Sequence, residues 1–245
     1  MNAGRSNGGR SDSGRSKGGM SDMGRPDRAK SNRGKSGSRR PSSRGSNSEK
    51  SSRGETRRSK WAVFVDRDGT VIEEAGYLSD PDKVKVLQNA PRALRRLNRM
   101  GVPVIVISNQ SGVARGMFTV EDVERVNQRM RDLLAIEGAS VDALYYCTHH
   151  PDYDIKCDCR KPRPGLLIAA SKELGISLPQ SFMVGDKLID IQAGKAAGTL
   201  SVFVRTGDGE KELQKARVEI AAAADRICED LSEAVEWILE RKDVH

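Results

Sequence analysis

The sequence predicts a doubly wound parallel α/β sheet over residues 61–245, led by a disordered basic tail over residues 1–60. Three observations carry that reading. Short apolar runs alternate with stretches of helical length, the pattern of parallel strands joined by crossover helices. The runs are apolar almost without interruption, as strands covered on both faces must be. Carboxylates, a hydroxyl and a lysine follow the runs directly, where such sheets bind ligands.

The elements follow in order. Trp61, Ala62, Val63, Phe64 and Val65 make a first buried strand. Ala90, Ala93, Leu94, Leu97 and Met100 recur at helical spacing, and Gly101 supplies a left-handed stop. Residues 102–107 read as a second strand, with Pro103 tolerated near its start. Thr119 and Asp122 form a capping-box pattern ahead of Val123, Val126, Met130 and Leu133, and Gly138 closes that helix. Residues 141–146 read as a third strand, 164–174 as a helix ended by Gly175, and 182–184 as a fourth strand. A helix over 189–197 and a strand over Leu200–Val204 come next. Asp230 and Glu233 open a last helix carrying Leu231, Val235, Ile238 and Leu239.

Charge divides the chain at the same place. Residues 1–60 hold 17 Lys and Arg against 5 Asp and Glu, a net of +12; residues 61–245 hold 25 against 29, a net of −4. Every aromatic, His and Cys lies at or beyond Trp61. With 11 Gly and 15 Ser, the first 60 residues cannot bury enough apolar area to offset chain entropy. The tail reads as a basic arm for nucleic acid, as a solubilising leader, or as the product of an upstream start, Met20 and Met23 being alternatives. It lacks aromatics for base stacking, so an inert tail is favoured and nucleic acid is not an expected partner. The 185 residues beyond it suit one globular domain burying roughly 70% of its unfolded surface. No apolar run of about 18 residues and no apolar leader is present, so a cytoplasmic chain without membrane association is expected.

After the first strand stands Asp66-Arg67-Asp68-Gly69-Thr70. Two carboxylates two residues apart in a glycine-containing loop can face one ligand, although alone the pair also suits an Asx turn. After the second strand comes Ser108-Asn109-Gln110-Ser111-Gly112, and after the third a Cys/His loop ending in Arg160-Lys161-Pro162. Gly185-Asp186-Lys187 follows the fourth, with Asp190 one helical turn on. Asp186 and Asp190 read either as ligands or as helix N-caps. A phosphomonoester dianion repels nucleophiles, and its site must supply a lysine and a hard cation held by oxygens.

Cys147, His149, Cys157 and Cys159 place three thiols and an imidazole within 13 residues, the ligand count of a closed tetrahedral structural Zn²⁺ site. Lys156, Arg160 and Lys161 lie beside it to offset its net negative charge. His150 is the alternative imidazole; a Cys157–Cys159 disulfide is disfavoured by strain and by a reducing compartment. Cys228 stands in a separate apolar context and reads as core.

This ordered set resembles the haloacid dehalogenase-like (HAD) superfamily of phosphotransferases over nearly all of residues 61–205. The resemblance implies that Asp66 is the nucleophile of an aspartyl-phosphate mechanism and Asp68 the general acid, then base. It implies that Ser108 and Lys161 hold the transferring phosphoryl group, and that Mg²⁺ is bound by Asp66, Asp186 and the backbone carbonyl of Asp68. Between Asp68 and Ser108 lie 39 residues, and between Ser108 and Lys161 lie 52, all used by predicted elements. No separate cap domain is therefore expected, and the site should be open.

That narrows the resemblance to the capless, zinc-loop branch, which holds heptose bisphosphate phosphatases and histidinol-phosphate phosphatases. Three stretches resemble the heptose enzymes: Glu74-Ala75-Gly76-Tyr77; Ser108-Asn109-Gln110-Ser111 continuing through Arg115 to Gly116; and Tyr145-Tyr146-Cys147 with Cys157-Asp158-Cys159-Arg160-Lys161-Pro162. The resemblance implies substrate contacts from Glu74, Ala75, Gly76, Tyr77, Ser108, Asn109, Gln110 and Ser111. It implies recognition by Arg160, Lys161 and Lys187, and puts the zinc imidazole at His149. Arg115 and Arg163 add cations for a second phosphate, with ordinary surface charge as the alternative. Glu74 stands where Asp is common, and the loop between Cys147 and Cys157 is shorter than in some heptose enzymes. The expected function is removal of the 7-phosphate of D-glycero-D-manno-heptose 1,7-bisphosphate, feeding nucleotide-activated heptose for lipopolysaccharide core. A monomer acting on a small phosphosugar is expected. Histidinol phosphate or another small phosphosugar is the alternative substrate.

Overall fold

Residues 59–243 are described by the structure, a computed structural model, and the predicted disorder of residues 1–58 lies outside them. Strands and helices alternate: β1 (Val63–Val65), α1 (Ala90–Arg99), β2 (Val104–Asn109), α2 (Val120–Ile136), β3 (Ala143–Cys147), α3 (Gly165–Leu174), β4 (Phe182–Gly185), α4 (Leu188–Ala197), β5 (Leu200–Val204), α5 (Gly209–Ala223), β6 (Arg226–Cys228) and α6 (Leu231–Asp243). Lys60 accepts from the Ser177 N–H at 2.7 Å, so backbone pairing starts one residue ahead of Trp61.

The strands are buried on both faces because their side chains divide between two cores. Val63, Val65, Val104, Val106 and Val184 point to one side, where Leu94, Leu97, Val126, Met130, Val235 and Ile238 of α1, α2 and α6 cover them. Phe64, Ile105, Ile107, Tyr145 and Met183 point to the other, against Leu166, Leu167, Ala170 and Ala193 of α3 and α4. Alternate residues serve opposite layers, which requires the continuous apolar runs seen in the sequence. Cys228 is buried in the first of these cores, as expected.

Local signals set several boundaries. The Thr119 side chain accepts from the Asp122 N–H while Asp122 accepts from the Thr119 N–H, closing the capping box that starts α2. Gly175, at φ +68°, ends α3 in the left-handed region. Met100 departs from expectation. Helix α1 stops at Arg99, and the Met100 side chain is 52% exposed instead of joining the buried stripe. Helix α5 and strand β6 carry no sequence prediction. Gly209 and Ile220 are the buried residues of α5, and β6 buries Cys228 alone, too little to set a periodic pattern.

All neighbouring strands are parallel, in the order β3-β2-β1-β4-β5-β6. The chain winds outward from β1 to β3, then returns to β4 on the other side of β1, so the switch point lies between β1 and β4. Val65 pairs with Val184, and the Asp66 N–H donates to Val184 O at 2.9 Å. The register therefore brings the residues after β1 and β4 together at the crevice where such sheets bind ligands. The segment from β1 to α1 holds bridges at Ile72 and a short turn over Pro81–Lys83, and the segment from β2 to β3 holds α2. No cap domain is inserted among the described residues, and no helix there is long and apolar enough to cross a membrane.

Candidate active site

Three carboxylates meet at the switch point. Oxygens of Asp66, Asp186 and Asp190 all lie within 4.8 Å of one another, and all three residues are buried. Lys161 reaches into the same space from the loop after β3. Its ammonium donates to Asp66 Oδ1 at 2.6 Å and to Ile107 O at 2.8 Å, and pairs with Asp190 Oδ1 at 2.6 Å. Burial opposes the Lys161 charge, but Asp190 and Asp66 outweigh it and hold its pKa above the usual lysine value. Burial raises Asp66 to about 7 against the pull of Lys161, helped by the charges of Asp190 and Asp68. Asp186 rises to about 8, through burial and then the charges of Asp66 and Asp190. Asp190 unites both readings of the sequence: it caps α4 through the Lys187 N–H at 3.0 Å and braces Lys161.

Asp186 is fixed from the loop after β5. Its Oδ2 accepts from the Asp208 N–H at 2.9 Å, while its buried Oδ1 has no hydrogen-bond partner. Thr206 Oγ1 donates to Gly69 O at 2.6 Å, tying that loop to the one after β1. An unpaired buried carboxylate oxygen beside two other acids has the chemistry of a hard-cation site. Asp66 and Asp186 therefore fit Mg²⁺; the oxygens of Asp190 face Lys161 and the Lys187 N–H.

Asp68 stands on the opposite wall. Arg67 Nε and Nη2 donate to its two oxygens at 3.0 Å each, and Gln110 Nε2 donates to Oδ2 at 2.9 Å. Gln110 also donates to Ser108 Oγ at 2.8 Å. Asn109 bonds the backbone of Lys161 twice, accepting from its N–H and donating to its carbonyl, each at 3.1 Å. The β2 end thus orients the lysine.

These groups open onto a cavity of about 400 Å³ lined by Asp66, Asp68, Glu74, Gly76, Tyr77, Ser108, Asn109, Gln110, Ser111, Arg160, Lys161 and Lys187, together with Gly112, Phe118, Ile189, Asp190 and Asp208. Asp186 is fully buried. Two predicted contacts are not brought there. Ala75 is exposed and does not line the cavity. Arg115 instead lies over the Tyr153 ring at 4.5 Å and bonds Tyr153 Oη and His150 Nε2, because an aromatic face offers the guanidinium a better seat than open water. Arg163 also points elsewhere, donating to the Cys157 carbonyl. Lys187 lines the cavity but is ion-paired with Glu74 and lies 3.6 Å from Asp208.

The loop after β3 gathers Cys147, His149, Cys157 and Cys159. Cys147 Sγ lies 3.5 Å from Cys157 Sγ, 3.1 Å from Cys159 Sγ and 3.7 Å from His149 Nδ1. All four cysteines are free thiols. Such separations are close to the edge lengths of a tetrahedral Zn²⁺ site, so the four residues fit that ion. His150 faces Arg115 and Tyr153 instead, which leaves His149 as the imidazole of the cluster.

The sequence reading missed Arg67, Asn127, Thr206, Gly207 and Asp208. For the last three a signal was present: Thr206-Gly207-Asp208 follows the predicted strand over Leu200–Val204, at the strand end that binds ligands.

Comparison with known proteins follows the same lines. The HAD-hydrolase-like family matches residues 158–234. A D-glycero-beta-D-manno-heptose-1,7-bisphosphate 7-phosphatase of Yersinia pestis is 41% identical over 187 residues, covering 74% of this chain and 96% of its own. A protein of the same name from Photorhabdus laumondii is 44% identical over 153 residues, 60% of this chain and 81% of its own. The solved D,D-heptose 1,7-bisphosphate phosphatase of B. bronchiseptica, complexed with magnesium and phosphate, superposes with a TM-score of 0.68 at 34% identity, covering 74% of this chain and 99% of its own.

Proposed function

The chain belongs to the heptose 1,7-bisphosphate phosphatase family of HAD-like hydrolases, and from that premise we propose that it removes the 7-phosphate of D-glycero-D-manno-heptose 1,7-bisphosphate. The observation that carries the proposal is the meeting of Asp66, Lys161, Asp186 and Asp190 at the switch point, beneath an open cavity. A buried lysine among buried acids suits a site that must receive a dianion and a divalent cation together.

Asp66, Asp186 and the Asp68 backbone carbonyl would hold Mg²⁺, which supplies positive charge to the phosphoryl oxygens. Asp66 attacks phosphorus; the ester P–O bond breaks, and its electron pair leaves with the alkoxide oxygen, which takes the proton of Asp68. A water then gives its proton to the Asp68 carboxylate and attacks the aspartyl-phosphate. The P–O bond to Asp66 breaks, and inorganic phosphate leaves. Lys161 and Ser108 orient the transferring group, and Lys161 compensates its charge throughout. Arg160, Lys187, Glu74 and Tyr77 face the rest of the sugar. Zn²⁺ on Cys147, His149, Cys157 and Cys159 would shape the loop that delivers Arg160 and Lys161.

The test is phosphate release from heptose 1,7-bisphosphate and from histidinol phosphate, compared by kcat/KM, with the remaining phosphate located on the heptose product. Higher kcat/KM on the bisphosphate, leaving a 1-phosphate, is expected. Better turnover of histidinol phosphate overturns the substrate assignment.

A further inference from the structure

Arg67 is a guanidinium with almost no exposed surface, at 1%. A buried charge is tolerated where its donors are paired. Two of its nitrogens grip the Asp68 carboxylate, at 3.0 Å each, and Nη1 donates to Asn127 Oδ1 at 2.8 Å. Asn127 is equally buried, at 1%, on the stripe of α2 that carries Val123, Val126 and Met130 into the core. An amide at such a place costs desolvation that an apolar side chain would avoid. Its Oδ1 serves Arg67, and its Nδ2 has no hydrogen-bond partner among the described residues. A chain running from the core of α2 to a single cavity carboxylate is what these two polar residues build.

We infer that Arg67, braced by Asn127, is a positioning residue that fixes the Asp68 carboxylate for proton transfer. The inference rests on the phosphatase reading above. In the first step the P–O ester bond breaks and its electron pair goes to the leaving oxygen, which takes the proton carried by Asp68. Arg67 itself exchanges no proton. Its fork holds both oxygens of Asp68, so the carboxyl meets the leaving oxygen without a rotamer search.

The readout is leaving-group dependence. A sugar phosphate leaves as an alkoxide and needs the proton; 4-nitrophenyl phosphate leaves as a stable anion and does not. kcat/KM reports the steps up to the aspartyl-phosphate, where that proton moves. A general acid supplies roughly 10²–10⁴-fold, and a misplaced one forfeits much of it. Arg67→Lys should lower kcat/KM for heptose bisphosphate by about 10²-fold and for 4-nitrophenyl phosphate by less than about 3-fold. Asn127→Leu keeps the side-chain size and completes the apolar stripe, so it remains informative even if Arg67→Lys does not fold. It should cost about 10-fold on the sugar phosphate and leave the aryl phosphate near wild type. Equal losses on both substrates, or an unchanged ratio in Asn127→Leu, overturn the inference while leaving the phosphatase reading intact. Wild-type protein that releases phosphate from neither substrate overturns the reading itself, and this inference with it.

Discussion

Lys161 Nζ lies 2.6 Å from Asp66 Oδ1, and both side chains are buried, with 1% and 7% exposed. Neither charge is tenable there alone. Burial pushes Asp66 up to about 7 even against the pull of Lys161, and Lys161 keeps its proton because Asp190 and Asp66 overcome burial. Removing one partner of such a group leaves an uncompensated buried charge, a loss of about 3–5 kcal/mol. Lys161→Met should therefore lower metal-free stability by about that much, and lower turnover by at least about 10²-fold. Urea denaturation with and without Mg²⁺, beside a phosphate-release assay, checks both. An unchanged midpoint would mean that the carboxylates are solvated or protonated.

The same cluster sets the pH dependence of stability. Asp66 and Asp186 titrate near 7 and 8 in the folded, metal-free chain, against about 4 when unfolded. Raised acids bind more protons in the native state, so their stabilising effect is complete below about pH 4 and is lost as pH rises through 7 and 8. Mg²⁺ binds the anionic forms and offsets the repulsion. The Tm of metal-free protein should fall from about pH 5.5 to about pH 8.5, and the rise in Tm on adding Mg²⁺ should grow over the same span. Thermal melts at three pH values give the answer, with Asp186→Asn as the control in which the trend flattens. A Mg²⁺ shift independent of pH would contradict the carboxylate cluster.

Part of this site was legible because strand ends are. Asp66, Ser108, Lys161 and Asp186 each follow an apolar run, and the switch-point rule alone brings them together. Strand β5 and the Thr119 capping box were legible because neighbours in sequence set them. Arg67 was not. A charged residue between two acids reads as solvent-facing, and its burial depends on Asn127, 60 residues away. Arg115 read as a substrate cation because its partner Tyr153 lies 38 residues on. Asp208 escaped with α5, whose kink at Ala216 and few buried residues erase the helical period.

Zinc should matter to loop order and not to the magnesium ligands. Cys147, Cys157 and Cys159 belong to the cluster, whereas Cys228 is packed in the main core and its thiol is pushed up to about 11, chiefly by burial. Chelation at neutral pH should expose three thiols to a colorimetric reagent and leave the fourth protected until unfolding. Turnover should fall by roughly 10–100-fold, as when other supports of a metal site are removed. Fully demetallated protein that regains complete turnover with Mg²⁺ alone would show that the loop holds Arg160 and Lys161 unaided.

Gly207 and Gly198 make a matched pair for testing the loop behind Asp186. Both are left-handed, at φ +59° and +82°, so an alanine at either position carries a backbone cost of about 1 kcal/mol. They differ in surroundings. A methyl on Gly198 would meet nothing within 4 Å, whereas one on Gly207 would overlap the Gly69 Cα and the Asp186 carboxylate. Close packing leaves the loop no room to yield without moving Asp186 or breaking the Asp208 N–H bond that orients it. Gly198→Ala should lower Tm by a few degrees with turnover retained. Gly207→Ala should cost at least about 10-fold in kcat and raise the Mg²⁺ concentration needed for half-maximal activity, since misplacement near reacting atoms is expensive. If the two substitutions prove equivalent in both measurements, backbone strain accounts for all of the effect and the loop after β5 plays no part in holding the metal ligand.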